Sequence, residues 1–329
     1  MTTTTAPGSL RRRAARLRHR LTFDRVSFVA VFLLLPVTVF VVFCLSPNIQ
    51  ALYFAMTDWS GFSPTMNFVG LDNFAKLFTD EKFLLSFRNS AVLALVVPTI
   101  TLATAFAISA VVTTGGPSIG PVRGLKGGGF HRVVAFFPYT VPAIVVGLIW
   151  AQVYDPNAGL LNGFLVWLGL DQFAGFPWVG DVRAAMPASM FVIMWGFVGF
   201  YTVLFVAAIK GIPAETYEAA RLDGAGRFRT ALSITLPQIL DSVQTAYIYL
   251  GLVALDAFVY MQAMNPQGGP EYATLTMSQL LYQTAFQKGQ FGYATAMGVA
   301  LAAVTMVYAL IIFIIFRLIK GHDTGVRRA

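Results

Sequence analysis

The chain has 329 residues, of which 57% are hydrophobic and 12% charged, and its mean hydropathy is +0.68. A soluble protein of this length would form about two domains, but this apolar composition indicates an all-α polytopic membrane protein. The net charge of +8 comes without a basic groove interleaved with aromatic residues, so nucleic acid is not an expected partner. Cys44 is the only cysteine, which excludes an intrachain disulfide and a cysteine-based metal site.

The first 26 residues are rich in threonine and arginine. They contain seven arginines, from Arg11 to Arg25, and one acidic residue, which predicts a disordered basic tail over residues 1–26. An apolar stretch follows over about residues 27–46. A cleaved signal peptide is the alternative to a span here, but the uncharged stretch continues to Asp58 and no Ala-x-Ala site follows a short core. We therefore expect an uncleaved first transmembrane helix.

Five more apolar stretches predict transmembrane helices, at about residues 91–112, 133–154, 187–209, 242–264 and 293–316. Together with the first, they define a six-helix transmembrane domain over residues 27–318, followed by a cytoplasmic tail at 319–329. In the third stretch, Pro138 and Pro142 interrupt the helix and leave carbonyl groups that neighbouring helices or water must satisfy. Such a bend either lines a cavity or only packs against neighbouring helices.

Basic residues are distributed unevenly between the two sides of the membrane in this predicted topology. If both termini are cytoplasmic, 18 of the 23 lysines and arginines lie on the cytoplasmic side and five on the external side. The opposite orientation would place this excess outside, against the positive-inside bias of membrane proteins. We therefore predict that both termini are cytoplasmic, and with them the polar segment between the fourth and fifth spans.

That polar segment reads ETYEAARLDGAGRFRTALSITLP. Pro213 suits a first helical turn, acidic residues favour a helix start, and Gly224 can supply a left-handed stop, so a short helix is predicted over about residues 214–223. Ala219 and Ala220 leave one face of that helix small enough to approach the backbone of a partner protein. From the pattern alone, a solvated loop between two spans is the plainer alternative.

Three features of this segment resemble the signature loop of permease subunits of bacterial ABC importers. They are Glu218-Ala219-Ala220, then Gly224, and then Ile234-Thr235-Leu236-Pro237. The preceding GFYTVLFVAAIKGIP and the triplet Asp223-Gly224-Ala225 are similar to the sugar permeases in particular, the group that includes the maltose and glycerol-phosphate systems. One departure is Asp241, because relatives often have a proline soon after the Leu-Pro pair.

The resemblance implies a fold, a location and partners. The fold would be that of a type I ABC importer permease in the bacterial cell membrane, with a cytoplasmic loop over residues 210–240 that inserts into an ATPase subunit. The implied partners are a second permease subunit, two ATP-binding subunits and an extracytoplasmic solute-binding protein, and the implied substrate is a carbohydrate or a polyol derivative. The ATPase-coupling residues would be Glu218, Ala219, Ala220, Asp223, Gly224, Ala225, Ile234, Leu236 and Pro237. The chain has no Walker motif, so we expect no catalytic residue and no cofactor in it, with ATP bound by a partner subunit.

The fifth span carries an unusual number of polar residues, including Tyr249, Asp256 and Tyr260. An ionisable group within a span is costly and faces protein or a water-filled cavity, so Asp256 is a candidate functional residue or, alternatively, part of a structural network. Asp256 and Tyr260 are four residues apart and would share one face of a continuous helix. In the fourth span, an aromatic residue such as Tyr201 would either stack on a sugar or lie at the membrane interface. We predict that Tyr201, Tyr249, Asp256 and Tyr260 line the substrate pathway.

Two other classes of function compete with this hypothesis. An ion-coupled secondary transporter calls for inverted repeats, broken helices or paired intramembrane carboxylates, and beyond Asp256 the sequence offers little of these. A membrane enzyme needs a catalytic cluster, but the three histidines, His19, His131 and His322, have no metal-binding or triad spacing. An importer subunit without a metal site is therefore the leading hypothesis.

Overall fold

The computed structural model describes residues 27–114 and 128–326. The predicted basic tail at residues 1–26 and most of the glycine-rich loop after the second span lie outside these ranges. Within them, the chain is helical apart from its connecting loops and one isolated antiparallel bridge between Thr57 and Phe68, which confirms the all-α prediction. The chain divides into two units after Tyr53, and helix α1 (Ser27–Phe54) makes up nearly all of the described part of the first unit.

The helices of the second unit follow in chain order: α2 (Asp72–Leu77), α3 (Glu81–Thr114), α4 (Gly128–Thr140), α5 (Ala143–Val153), α6 (Leu160–Trp167), α7 (Ala185–Lys210), α8 (Ala214–Leu222), α9 (Arg227–Thr230), α10 (Leu236–Gln238), α11 (Leu240–Leu255), α12 (Phe258–Met264), α13 (Met277–Tyr282) and α14 (Phe291–Val326). Single π-helical turns lie between α9 and α10, at Ala231–Thr235, and after α13, at Gln283–Gln287.

Four of the described helices are each long and apolar enough to cross a bilayer, namely α1, α3, α7 and α14. Two bent pairs also qualify if each pair counts as one span, which gives up to six. The pair α4–α5 bends by 109° and the pair α11–α12 by 45°. Because a span needs about 20 residues, α4, α5 and α12 are each too short to cross alone.

The predicted span at 133–154 is interrupted at Pro142 as expected, but Pro138 lies inside α4, and the span at 242–264, which was predicted without a break, is also broken. Pro142 has no amide hydrogen and adopts φ −54°, ψ 136°, so α4 ends before it and α5 begins after it. In the second pair, Asp256 adopts φ −105°, ψ 52°, outside the helical region. The prediction that Asp256 and Tyr260 share one helix face is therefore wrong, because the helix stops between them.

The core of the second unit forms around α7. This helix packs against α3 and α4, while α11 packs against α3 and α14. The second halves of the two bent pairs, α5 and α12, pack against each other. The largest side chains at the centre are fully buried, among them Leu93 of α3, Ile193 and Phe205 of α7, and Leu250 of α11. The two breaks therefore lie within one connected set of helices.

Polar contacts attach the segment between α12 and α13 to α3. The Asn89 amide donates to the carbonyl oxygens of Tyr272 and Leu275 at 3.1 and 3.0 Å. Lys82 donates to the Tyr272 hydroxyl at 2.7 Å, and this hydrogen bond and the lysine charge lower the pKa of the phenol. These contacts hold two consecutive non-glycine residues, Glu271 and Tyr272, at φ of 49° and 60°. Such backbone strain persists only where its surroundings fix it.

Glycines allow two pairs of helices to approach closely. A Cβ atom at Gly199 of α7 would lie 1.6 Å from the carbonyl oxygen of Ala135 in α4. A Cβ atom at Gly147 of α5 would lie 2.5 Å from the Cβ of Ala263 in α12. Small residues of this kind let backbones touch, and van der Waals contact is a main source of helix association in lipid.

We predict that Gly199→Ala destabilises the protein, because the added methyl group collides with a backbone oxygen that cannot rotate away. Overpacking of this kind costs about 1–3 kcal/mol. The measurement is the thermal midpoint of the detergent-solubilised protein, read by fluorescence-detected size-exclusion chromatography. Gly163→Ala in α6 is the matched control, since nothing lies within 4 Å of a Cβ atom there. Equal midpoints for the two variants would contradict the proposed close contact.

Candidate functional site

Helix α8 has the start and the stop that the sequence predicts. Pro213 precedes it with a ψ of 138°, and the helix covers Ala214–Leu222, one residue shorter than expected. Gly224 has a φ of +73°, and its amide donates to the carbonyl of Arg221 at 3.0 Å. The next amide donates to the carbonyl of Ala220 at 2.9 Å. These two bonds form a Schellman cap, so the predicted left-handed stop is confirmed.

One side of α8 is fixed to the segment that follows it. Tyr217 and Ala220 are buried, and the Tyr217 hydroxyl lies 3.2 Å from Thr235 Oγ1. Thr235 donates its own proton to the carbonyl of Thr230, so Tyr217 is the donor in this pair. Burial raises the pKa of the Tyr217 phenol, which keeps that proton in place. Ala220 therefore packs within the chain, whereas the sequence placed it on an open face with its alanine neighbour.

The other side of α8 is open to solvent. Glu218, Ala219 and Asp223 are exposed there. Two large apolar side chains accompany them, since Leu222 is 89% exposed and Phe228, at the start of α9, is 79% exposed. A surface that combines exposed apolar side chains with acidic groups has the composition of a protein contact site.

The remaining predicted coupling residues connect α8 to α11. Ala225, Ile234, Leu236 and Pro237 are all partly buried. Ile234 belongs to the π-helical turn Ala231–Thr235, and the other members of the Leu-Pro motif form the short helix α10. Turns of π-helix occur often at functional sites. This segment thus joins the exposed surface of α8 to the helix that carries the predicted pathway residues.

Two of the predicted pathway tyrosines, Tyr201 and Tyr249, lie near each other, and the third, Tyr260, lies near a neighbour that it shares with Tyr201. Tyr201 and Tyr260 are buried, and Tyr249 is exposed. The phenol of Tyr201 lies near those of Tyr249 and Tyr139, and Tyr260 also lies near Tyr139. Among the described residues, the Tyr201 hydroxyl has no hydrogen-bond partner. A buried hydroxyl is costly when unpaired, which distinguishes Tyr201 from the other tyrosines of this group.

Tyr139 completes this cluster and was not predicted. Its ring stacks on Phe200, with the centroids 4.4 Å apart and the planes at 22°. It also meets Phe197 edge-on at 5.6 Å. A signal for it was present in the sequence, because Tyr139 lies three residues before Pro142, at which the helix is interrupted and polar backbone groups are left without helical partners.

Asp256 occupies the break between α11 and α12 with its side chain exposed. An ionisable residue at a discontinuity of a span is typical of solute pathways in transporters. The structure thus groups Tyr201, Tyr249 and Tyr260 with Tyr139, whereas Asp256 and Tyr260 belong to separate helical segments. In the ranges that the structure describes, no three His, Cys, Asp or Glu residues form a group suited to a metal ion.

Long apolar helices, two bent helix pairs and the exposed short helix α8 define a polytopic membrane protein with the architecture of a transport subunit. The chain belongs to the family of binding-protein-dependent transport system inner membrane components, which matches residues 118–328. The resemblance drawn from the Glu-Ala-Ala segment is thereby confirmed.

Relatives and solved structures agree with this assignment. The diacetylchitobiose uptake system permease protein NgcF of Streptomyces coelicolor is 63% identical over 311 residues, which cover 94% of this chain and 88% of the relative. The multiple sugar-binding transport system permease protein MsmF of Streptococcus mutans is 32% identical, over 88% of this chain and 91% of that protein. A solved bacterial ABC transporter involved in alginate import has a TM-score of 0.75 at 22% identity, covering 92% of this chain and 99% of its own, so it shares the fold.

Proposed function

We propose that this chain is the transmembrane permease subunit of an ATP-driven ABC importer that carries a carbohydrate across the bacterial cell membrane. The observation that carries this proposal is the 63% identity to NgcF over 94% of the chain. By the same similarity, the substrate class is an acetylated disaccharide such as diacetylchitobiose. The other sugar permeases among the relatives support a carbohydrate in general.

Such an importer needs components that this chain does not contain. Because the chain has no Walker motif, two separate ATP-binding subunits would bind and hydrolyse the nucleotide. A second permease subunit would complete the pathway, and an extracytoplasmic protein would deliver the sugar. The last partner is supported by a solved alginate transporter, which shares the fold at a TM-score of 0.73 and is held in complex with a periplasmic protein bound to an alginate pentasaccharide.

In the proposed topology, the two bent pairs each cross the membrane once, so the chain has six spans. Both termini and α8 then lie in the cytoplasm. The support is the excess of basic residues on that side, 18 of 23. This orientation also places the exposed surface of α8 where a cytoplasmic ATPase can reach it.

The exposed surface of α8 is the proposed contact with the ATPase. Leu222 and Phe228 would enter an apolar groove, while Glu218 would pair with a charged or polar group beside it. Closure of the ATPase subunits would displace α8. The hydrogen bond from Tyr217 to Thr235 would pass this displacement to the π-helical turn and on to α11.

The tyrosine cluster and Asp256 are proposed to line the sugar pathway. Aromatic rings bind the apolar faces of sugar rings, while phenol and carboxylate oxygens hydrogen-bond the sugar hydroxyl groups. Tyr139 and Tyr249 would supply ring contacts. Tyr201 would add a hydroxyl that the described part of the protein leaves without a partner.

We predict that the loop after α1 is external and the N-terminus cytoplasmic. Cys44→Ser gives a background without cysteine, in which Ser63→Cys and Ser9→Cys are labelled singly. A membrane-impermeant maleimide should react with the Ser63 variant in intact cells and with the Ser9 variant only after permeabilisation. The reverse pattern would invert the topology.

We predict that Gly224→Val uncouples transport from ATP hydrolysis, because a branched residue at φ +73° costs about 1 kcal/mol or more and displaces the end of α8. The reconstituted complex should keep all its subunits but lose sugar uptake and the stimulation of hydrolysis by loaded binding protein. Gly226→Val is the control, because Gly226 has a φ of −68° and nothing lies within 4 Å of a Cβ atom there. Full activity of both variants would show that α8 is not the coupling element.

We predict that Asp256→Ala lowers uptake of labelled diacetylchitobiose by about tenfold or more, the loss expected from one hydrogen bond to a charged group. The purified complex should retain its subunits, since the carboxylate is exposed. Asp171→Ala, an exposed acid in the connection between α6 and α7, should transport at the wild-type rate. Normal uptake by the Asp256 variant would assign its carboxylate a structural role instead.

A further inference from the structure

Helix α6 presents four large apolar side chains on one side. Leu160, Phe164, Trp167 and Leu168 follow the spacing of one helical face, which we call the Trp167 face. Leu160 is 75% exposed and Trp167 is 78% exposed. The rings of Phe164 and Trp167 lie 6.0 Å apart. No charged residue occurs in α6 or in the three residues after it.

The opposite side of α6 is held against the protein by the hydrogen bonds of one buried side chain, that of Asn162. The Asn162 amide donates to the carbonyl oxygens of Pro156 and Phe176 at 3.2 and 3.0 Å. Its amide oxygen accepts a hydrogen bond from the indole of Trp178 at 2.6 Å. The buried asparagine therefore sets the rotation of α6, and the Trp167 face is held outward by this arrangement.

The start of α6 lies next to the end of α5 in space, although a short connection separates them in sequence. A Cβ atom at Gly159, the residue before α6, would lie 2.6 Å from the carbonyl oxygen of Val153, the last residue of α5. At the same level, the Tyr154 hydroxyl donates to the carbonyl of Ala188 in the first turn of α7 at 3.1 Å. Two candidate spans end here, so α6 lies where the chain leaves the hydrocarbon.

We propose that the Trp167 face embeds in the outer leaflet of the bilayer, so that α6 is an interfacial helix that lies along the membrane surface. The proposal rests on the topology given above, in which this end of α5 and α7 is external. Tryptophan is enriched at the membrane interface, and an exposed apolar helical face gains stability when it is buried at the boundary between headgroups and acyl chains.

Lipid fits this face better than a protein partner does. The neighbouring helix α5, against which α6 packs, exposes Ile144, Leu148 and Ile149, so exposed apolar side chains occur on the candidate span as well as on α6. The face offers no charge and no hydrogen-bonding side chain except the indole, which can reach the headgroups. Because α6 carries no lysine or arginine, its insertion depends on apolar burial and not on anionic lipid.

The test uses the complete transporter in phosphatidylcholine nanodiscs, with a nitroxide on single cysteines in the Cys44→Ser background. Labels at Leu160→Cys and Trp167→Cys should collide several-fold more often with oxygen than with an aqueous nickel chelate. A label at Ser63→Cys, in the exposed external loop, should show the reverse ratio. Adding phosphatidylglycerol should leave all three ratios unchanged.

Each alternative gives a distinct result. Nickel collisions at the α6 labels equal to those at Ser63 would mean a solvated face and would overturn the proposal. Labels shielded from both reagents would mean that a partner subunit covers the face, and shielding that arises only on adding binding protein would assign the face to that partner. A strong dependence of these collision ratios on phosphatidylglycerol would also contradict the proposal. Failure of the topology itself would appear separately, in intact cells, as a Ser63→Cys variant that a membrane-impermeant maleimide labels only after permeabilisation.

Discussion

Backbone amides and carbonyls inside the hydrocarbon must find partners within the protein, and the rest of this structure depends on how the two bent helix pairs, α4–α5 and α11–α12, meet that requirement. The second halves of the pairs pack against each other, with Gly147 of α5 beside Ala263 and the carbonyl of Tyr260 in α12. The first halves pack against the long helices α7 and α3. Both bent pairs therefore pack against other helices, and polar side chains lie beside the two breaks, with that of Asp256 exposed. Tyr139, at the end of α4, and Asp256, between α11 and α12, occupy these positions.

Few side-chain interactions connect α8 to the long helices. Tyr217 and Thr235 join α8 to the π-helical turn, and Asp241 at the start of α11 pairs with Lys320 of α14. Lys320 also donates to Gln244 at 2.6 Å. Asp241 is the position at which the sequence departs from its relatives, and this ion pair gives the departure a structural role. An exposed pair contributes about 0–1 kcal/mol, so it orients α11 relative to α14 more than it stabilises the fold.

Local chemistry made part of this structure predictable from the sequence. The start of α8, its left-handed end at Gly224 and four of the six apolar helices depend on residues a few positions apart, and these predictions were confirmed. The break at Asp256 carries no proline or glycine signal in the sequence around it. The burial of Ala220 and the contact of Tyr139 with Phe200 likewise depend on residues far apart in sequence. The spacing of the motif identified the family, whereas only the tertiary structure shows which tyrosines form the cluster.

The way the spans are held together suits a protein whose helices must shift. Lipid provides no hydrophobic force between apolar helices, so association depends on close packing and on hydrogen bonds from hydroxyls to neighbouring carbonyls. Ser109 of α3 donates to the carbonyl of Thr202 in α7 at 3.0 Å, and Tyr308 of α14 donates to the carbonyl of Ala94 in α3 at 3.2 Å. Such bonds contribute about 0.6 kcal/mol each in membrane proteins. A displacement at α8 would exchange a few of them for others, which lets the spans tilt at small cost while Gly199 and Ala135 keep α7 and α4 in contact.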